Sequence, residues 1–358
     1  MRNAVQRVRF PARGSFHVDL KRRVEDYFEG SARSRHGGWA MAVKTATMLA
    51  WLATSYAVLM FTHLRPWEAA LLSVSIALAM AGVGFSVMHD ANHGSTSSSA
   101  RVNAIMSFTL DLMGASSFLW RHKHNVLHHT YTNISALDPD LEGGGPLLRL
   151  APWQSRGVHH RFQHVYVWLL YGLFPLKWWF IDDLRELAIG PGGGKFPAAR
   201  GRELFVALAG KALFISWAFV LPALLHPSWG LFAIWGIAIF TLGNVLAAVF
   251  QLAHCVGEAD FLDGEREVEN DWAEHQVATT VDFAPANAVL GWYLGGLNFQ
   301  VEHHLFPRVC HLHYPALARI VEETCRAHRL RYRCKPTLRS ALAANWRWLR
   351  RMGSAAPA

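Results

Sequence analysis

Apolar residues gather in long runs separated by polar or basic stretches, and four runs approach or exceed the roughly 20 residues that carry a helix across a bilayer. They cover residues 39–62, 67–88, 204–225 and 229–253. Short turns at 63–66 and 226–228 join them in pairs, so the pattern predicts two transmembrane hairpins. Pro66 and Trp67 suit a membrane boundary, and Gly82 and Gly84 permit close helix approach. Lys211 interrupts the third run and is expected to snorkel or to face the bundle. Two further stretches are apolar but marginal. Residues 103–120 carry Asp111 and read as interfacial or re-entrant. The aromatic stretch 165–180, with Trp168, Trp178 and Trp179, is short for a crossing and reads as an interfacial helix. Ahead of the first run, Phe16, Val18, Leu20, Val24, Tyr27 and Phe28 can line one side of a short surface helix. The predicted fold is an all-α integral membrane protein: four transmembrane helices in two hairpins under a helical cap. Its segments are 1–38, the hairpin 39–88, a middle segment 89–203, the hairpin 204–253 and a final segment 254–358.

Charge gives this arrangement an orientation. Only 17% of residues are charged, against about 25% in a soluble domain, while 52% are hydrophobic. The net charge of +9 comes from Lys and Arg before the first run (Arg2, Arg7, Arg9, Arg13 and others), in the middle segment and in the tail. The two short turns hold only Arg65. Both termini and the middle segment are therefore expected on the cytoplasmic side, with the basic residues facing anionic lipid and not nucleic acid. The four cysteines include no C-x-x-C pair, which argues against disulfides and a thiolate metal site. The basic N-terminal stretch lacks the apolar core of a cleaved signal peptide.

The chemistry sits at the ends of the runs. His89 and His93 close the second run four residues apart, a spacing that puts both on one helix face. His124, His128 and His129 follow about 30 residues on, His254 closes the fourth run, and Gln300, His303 and His304 form a last cluster. Imidazole is the commonest ligand for transition metals. Eight imidazoles exceed what one metal takes and suit two, completed by Gln300, water or substrate. A donor set that is almost wholly neutral leaves positive charge on the metals, which favours strong oxidation. His124 is preferred to His122 because it lies one turn from His128, and Gln300, His303 and His304 can face one metal from a single helix. His122, Asp90, Asn92, Asn125, His164 and Asn298 stand at the margin of the site, as hydrogen-bond partners of ligands or outside it. His17, His36, His63 and His226 read as surface or boundary residues, and His275, His311 and His313 as structural support.

These segments also carry a resemblance. His89-Asp90-Ala91-Asn92-His93-Gly94, His124-Asn125-Val126-Leu127-His128-His129 and Gln300-Val301-Glu302-His303-His304 resemble the three histidine boxes of the membrane fatty acid desaturases. The likeness extends to Thr132-Asn133, Asp138-Pro139-Asp140, the segment ending at His254 and His311-Leu312-His313-Tyr314-Pro315. Gln300 in the first place of the third box is similar to the front-end branch, which includes bacterial linoleoyl-CoA or acyl-lipid enzymes. Two iron ions, O2 as co-substrate, an acyl-CoA or acyl-lipid substrate and a bacterial inner membrane are what this resemblance implies. Many front-end enzymes carry a fused haem domain whose His-Pro-Gly-Gly signature is absent from this sequence. Electrons are therefore expected from a separate ferredoxin or cytochrome of the b5 type, with its reductase. A histidine-box hydroxylase is the nearest alternative. A metal transporter would place histidines inside the spans, and these runs are almost free of them.

Overall fold

A computed structural model describes residues 8–264 and 268–354. Arg2 and Arg7 of the basic N-terminal group lie outside the described residues. Among the described residues, four helices are long and apolar enough to cross a membrane: Gly38–Phe61, Pro66–His93, Gly201–Leu225 and Gly230–His254. The second and fourth run on into their terminal histidines, so the predicted ends at 88 and 253 fall short of the helices. The second span is the axis of the bundle, with 72% of its apolar window buried against 22–28% in the other three. Spans one and two are tied by a hydrogen bond from Trp51 Nε1 to Ser75 Oγ and one between the Ser55 and Ser75 hydroxyls, each 2.9 Å.

Near its end the second span widens into a π turn over Gly84–Met88. Gly295, in a left-handed conformation at φ +59, comes so close that a Cβ there would lie 2.2 Å from the Phe85 carbonyl oxygen. The inserted residue of a π turn rotates everything beyond it, and here that includes His89 and His93.

The stretch expected to be interfacial or re-entrant folds back on itself. Helices Ala100–Leu112 and Ser117–Tyr131 meet at 110°. Gly114 makes the bend at φ +95, with the Phe214 ring occupying the space a Cβ would need. The bend is held from outside by Lys211. It faces the bundle and does not snorkel, donating to the Gly114 carbonyl, to the Trp179 carbonyl at 2.7 Å and to Asp183 Oδ2 at 3.2 Å. Asp183 also accepts from the Ser116 backbone N–H at 2.8 Å.

The aromatic helix is longer than its apolar stretch. Gln163–Lys177 continues through a π turn to Asp183–Ile189. One face, with Val165, Leu169 and Leu173, is exposed; the other is docked on the fourth span, where Gly243 admits the Tyr171 carbonyl at a distance no side chain would allow. The cap at the histidine-bearing end is built from the N-terminal helix Ser15–Ser31, the helices Tyr314–Ala327 and Leu338–Gly353, and connecting loops. Phe16, Leu20, Val24 and Phe28 form the buried stripe of the first of these, packed against Leu317 and Val321. Val18, placed in that stripe by sequence, is 59% exposed. A two-residue parallel pairing of Asp282–Phe283 with Cys334–Lys335 joins the cap to the loop before the third box.

Breaking a buried ion pair from one side leaves an uncompensated charge and costs about 3–5 kcal/mol. Lys211→Met should therefore lower the thermal midpoint of the purified protein in detergent clearly, and Asp183→Asn added to it should restore part of the loss. An unchanged midpoint in Lys211→Met would show that the bend does not need its clamp.

Candidate metal centre

Three separate helix ends and one isolated helix converge where the second and fourth spans leave the bundle. His89, His93, His124 and His303 bring their ligand nitrogens within 4.8 Å of one another, and so do His128, His254 and His304. His129 lies between the groups, within the same distance of His303 and His304. All eight rings are buried. Both ring nitrogens of His89, and Nε2 of His93, His303 and His304, have no hydrogen-bond partner, nor do Nδ1 of His129 and His254. Buried polar atoms are rarely left unpaired, so orphaned nitrogens aimed at common points are what a metal-binding cluster requires. The residues present fit two metal ions.

Register decides which ring joins which group. Residues Arg121–His128 form a π helix, in which side chains five apart align. His124 Nε2 accordingly faces His129 Nε2 at 3.2 Å, while His128 turns toward His254 and His304, with ring centroids 4.8 and 4.9 Å away. His124 and His128 nonetheless stay within reach of each other, their rings stacked with centroids 5.3 Å apart and their ligand atoms grouped with Asp140, so the expected pairing stands beside the one with His129. The third box differs in a similar way. His303 and His304 are adjacent on helix Gln300–Leu305 and point to different groups. Gln300 hydrogen-bonds His254, which places it beside the group of His128, His254 and His304.

The opposite ring edges are braced. His128 Nδ1 lies 3.0 Å from Asp138 Oδ1, His304 Nδ1 2.9 Å from Gln276 Oε1, and His303 Nδ1 3.3 Å from Tyr314 Oη. Such partners fix the tautomer and orientation of a ligating ring. Asn133, at φ +56, ties the second box to the fourth span by donating to the His254 carbonyl at 3.1 Å. Sequence reasoning passed over Asp138, Gln276 and Tyr314 as site residues. For Asp138 and Tyr314 a signal existed, the Asp-Pro-Asp turn ten residues after His128 and the His-Leu-His-Tyr-Pro segment after the third box; Gln276 carries none.

The marginal residues divide. Asn92 and Asn125 clip the first two boxes together, Asn125 Nδ2 donating to the Asn92 carbonyl at 2.8 Å. Asp90 turns to His311, Nδ1 to Oδ2 2.8 Å. His122 faces away, 2.9 Å from the Phe118 carbonyl and packed on Phe196. His164 is remote from the cluster, with its ring 5.2 Å from Trp346. Asn298 is fully buried beside Gly291, and neither amide atom has a partner.

The fatty acid desaturase family matches residues 65–336. Over 355 residues the chain is 37% identical to an sn-1 linoleoyl-lipid 6-desaturase of Synechocystis sp., covering 98% of this chain and 99% of the relative. It is 38% identical to an acyl-lipid (8-3)-desaturase of Physcomitrium patens, covering 94% of this chain and 72% of the relative. The chain belongs to the fatty acid desaturase family. Its membership makes it an oxidoreductase of lipid metabolism, and its relatives place it among front-end-type desaturases.

An apolar passage of two cavities with shared walls runs from the bundle to Trp120, which lies between it and the rings of this desaturase's centre. Trp120 stacks on His124 at 4.1 Å between centroids and meets His89 and His93 edge-on. Beyond it lies a cavity lined by Met88, Leu110, Trp178, Trp179 and Phe250. A second cavity shares Met80, Trp179 and Leu242 with the first and continues to Met60, Pro222 and Leu231. Along the second span, Met88 to Ser73 is a rise of about 22 Å.

Burial above all, then the His89 and His129 rings, pushes His303 well below the ordinary histidine value of 6.5; burial, His129 and His254 do the same to His304. Neutral imidazole is the form that binds metal. With the folded value below the unfolded one, the unfolded chain binds more protons as pH falls, so stability is present above about 6.5 and is lost on acidification below it. The metal-free desaturase should therefore melt at a lower temperature at about pH 5.5 than at about pH 7.5. A midpoint that rises on acidification would contradict the burial of neutral rings.

Proposed function

We propose that the protein inserts a cis double bond into an acyl chain held on a membrane lipid, between an existing double bond and the carboxyl end. His89, His93, His124 and His303 would hold one iron and His128, His254 and His304, with Gln300 beside them, the other, His129 standing between. Bound iron supplies the O2-dependent oxidation that the chain's own side chains lack. The balance is –CH2–CH2– + O2 + 2 e– + 2 H+ → –CH=CH– + 2 H2O. Beside the centre, the protein's part is to position the chain and exclude water. The observation that carries this reading is the passage itself, which is apolar throughout and ends on Trp120 against three of the histidines. Its wall at Trp178, Leu246 and Phe250 is only partly covered, which favours an acyl chain entering sideways from the bilayer over one carried by soluble acyl-CoA.

Expression in a host that makes linoleoyl lipids but no further desaturation product, followed by mass spectrometry with double-bond localisation, tests this. A new C=C on the carboxyl side of an existing one is the expected outcome, and a hydroxylated product would overturn it. Gln300→Leu should abolish most of the product, because His254 then loses its side-chain hydrogen bond. Gln300→His should keep part of it.

The basic charge favours both termini and the centre on the cytoplasmic side of a bacterial inner membrane. An acidic electron donor, ferredoxin-like or a cytochrome of the b5 type, would meet the exposed Arg308, Arg319, Arg326, Arg329 and Arg331. Arg333 is held by Asp260 through two contacts of 3.0 Å and is left out of this face. Turnover with a purified acidic donor should slow as salt shortens the Debye length below about 8 Å. Neutralising Arg329 and Arg331 together should mimic the salt effect. Rates indifferent to both would place the donor elsewhere.

A further inference from the structure

The first span supplies no histidine to the centre, yet it buries a lysine next to it. Lys44 is 2% exposed; its Nζ lies 2.8 Å from His311 Nε2 and 5.2 Å above the Trp292 ring. An ammonium only donates, so His311 Nε2 accepts and the ring proton sits on Nδ1. Nδ1 then donates to Asp90 Oδ2 at 2.8 Å, and the His311 backbone N–H reaches the same oxygen at 3.3 Å. The other Asp90 oxygen is 3.8 Å from Nδ1 of His89. Three residues past His311, Tyr314 Oη braces His303. The turn thus braces His303 directly and, through Asp90, sets a carboxylate beside His89 at ion-pair distance, and Lys44 pins that turn to the first span.

A buried ammonium is costly unless paired, and a methionine of similar length would fill the space without that cost. A methionine could not, however, fix the tautomer of His311. We propose that Lys44 is a positioning residue for the centre of His89, His93, His124 and His303, acting through His311 and Asp90 without touching the metal. The proposal rests on the two-metal reading given above.

The test uses the full-length protein, purified metal-free in detergent and titrated with Co(II), whose visible absorption reports ligand geometry. Wild type should bind two ions. Lys44→Met should weaken one of them by about 10–100-fold, the usual effect of removing support from a ligating histidine, and alter the visible bands. His311→Gln should do the same, and the double variant should be no worse than His311→Gln alone. Ser75→Ala, which removes the Trp51 and Ser55 ties between the first two spans, should bind as wild type, separating loosening of the span from loss of the lysine. Wild-type affinity and spectrum in Lys44→Met would overturn the proposal; should that variant fail to fold, the same result in His311→Gln overturns it. A wild-type protein that does not take up two ions would instead sink the two-metal reading beneath it.

Discussion

Eight imidazole rings must stay oriented and within touching distance in a buried place. That constraint shapes most of the cap. Rings crowded this closely repel when protonated and leave dangling nitrogens when neutral, so each needs a brace on one edge and a common target on the other. The braces come from unrelated parts of the chain: Asp138 for His128, Gln276 for His304, Tyr314 for His303. The loops between the spans and the third box are long because they must carry these partners in. The apolar spans beneath supply the dry floor, and Trp120 closes it against the rings.

The helices themselves are bent to this purpose. π turns cost hydrogen-bond quality and persist where a function compensates. Some lie at Trp178–Asp182 and Ser216–Val220, where no ring of the centre is carried; the two that bear on the centre lie at Gly84–Met88, just before the first box, and at Arg121–His128, through the second. Each re-aims a helix that would otherwise present its histidines along one regular stripe. The close approach of Gly295 to Phe85 shows that neighbouring chain is shaped around the first of them.

Much of this was legible in the sequence because it depends on short-range pattern. Long apolar runs mark spans, and histidines at their ends mark a boundary site; the structure draws together all eight histidines singled out that way. What escaped depends on register or on distant partners. No periodicity announces that residues 121–128 gain an extra residue per turn, so the pairing of His124 with His129 is invisible. His164 shares the polar flank of an aromatic helix with nothing to show that the helix docks away from the centre. Lys44 reads as an interruption of an apolar run, because its partner lies 267 positions away.

The adjacent pair His303 and His304 links the two halves of the centre through one peptide unit. Neither group is complete without residues that are among the last third of the chain to be made. A nascent desaturase can insert both hairpins and form its first two boxes while still lacking a finished pocket for either metal. On the two-metal reading proposed above, loading would wait until synthesis has passed the third box and the two ions would be acquired jointly: one rotation of that short helix would open or spoil both sites together.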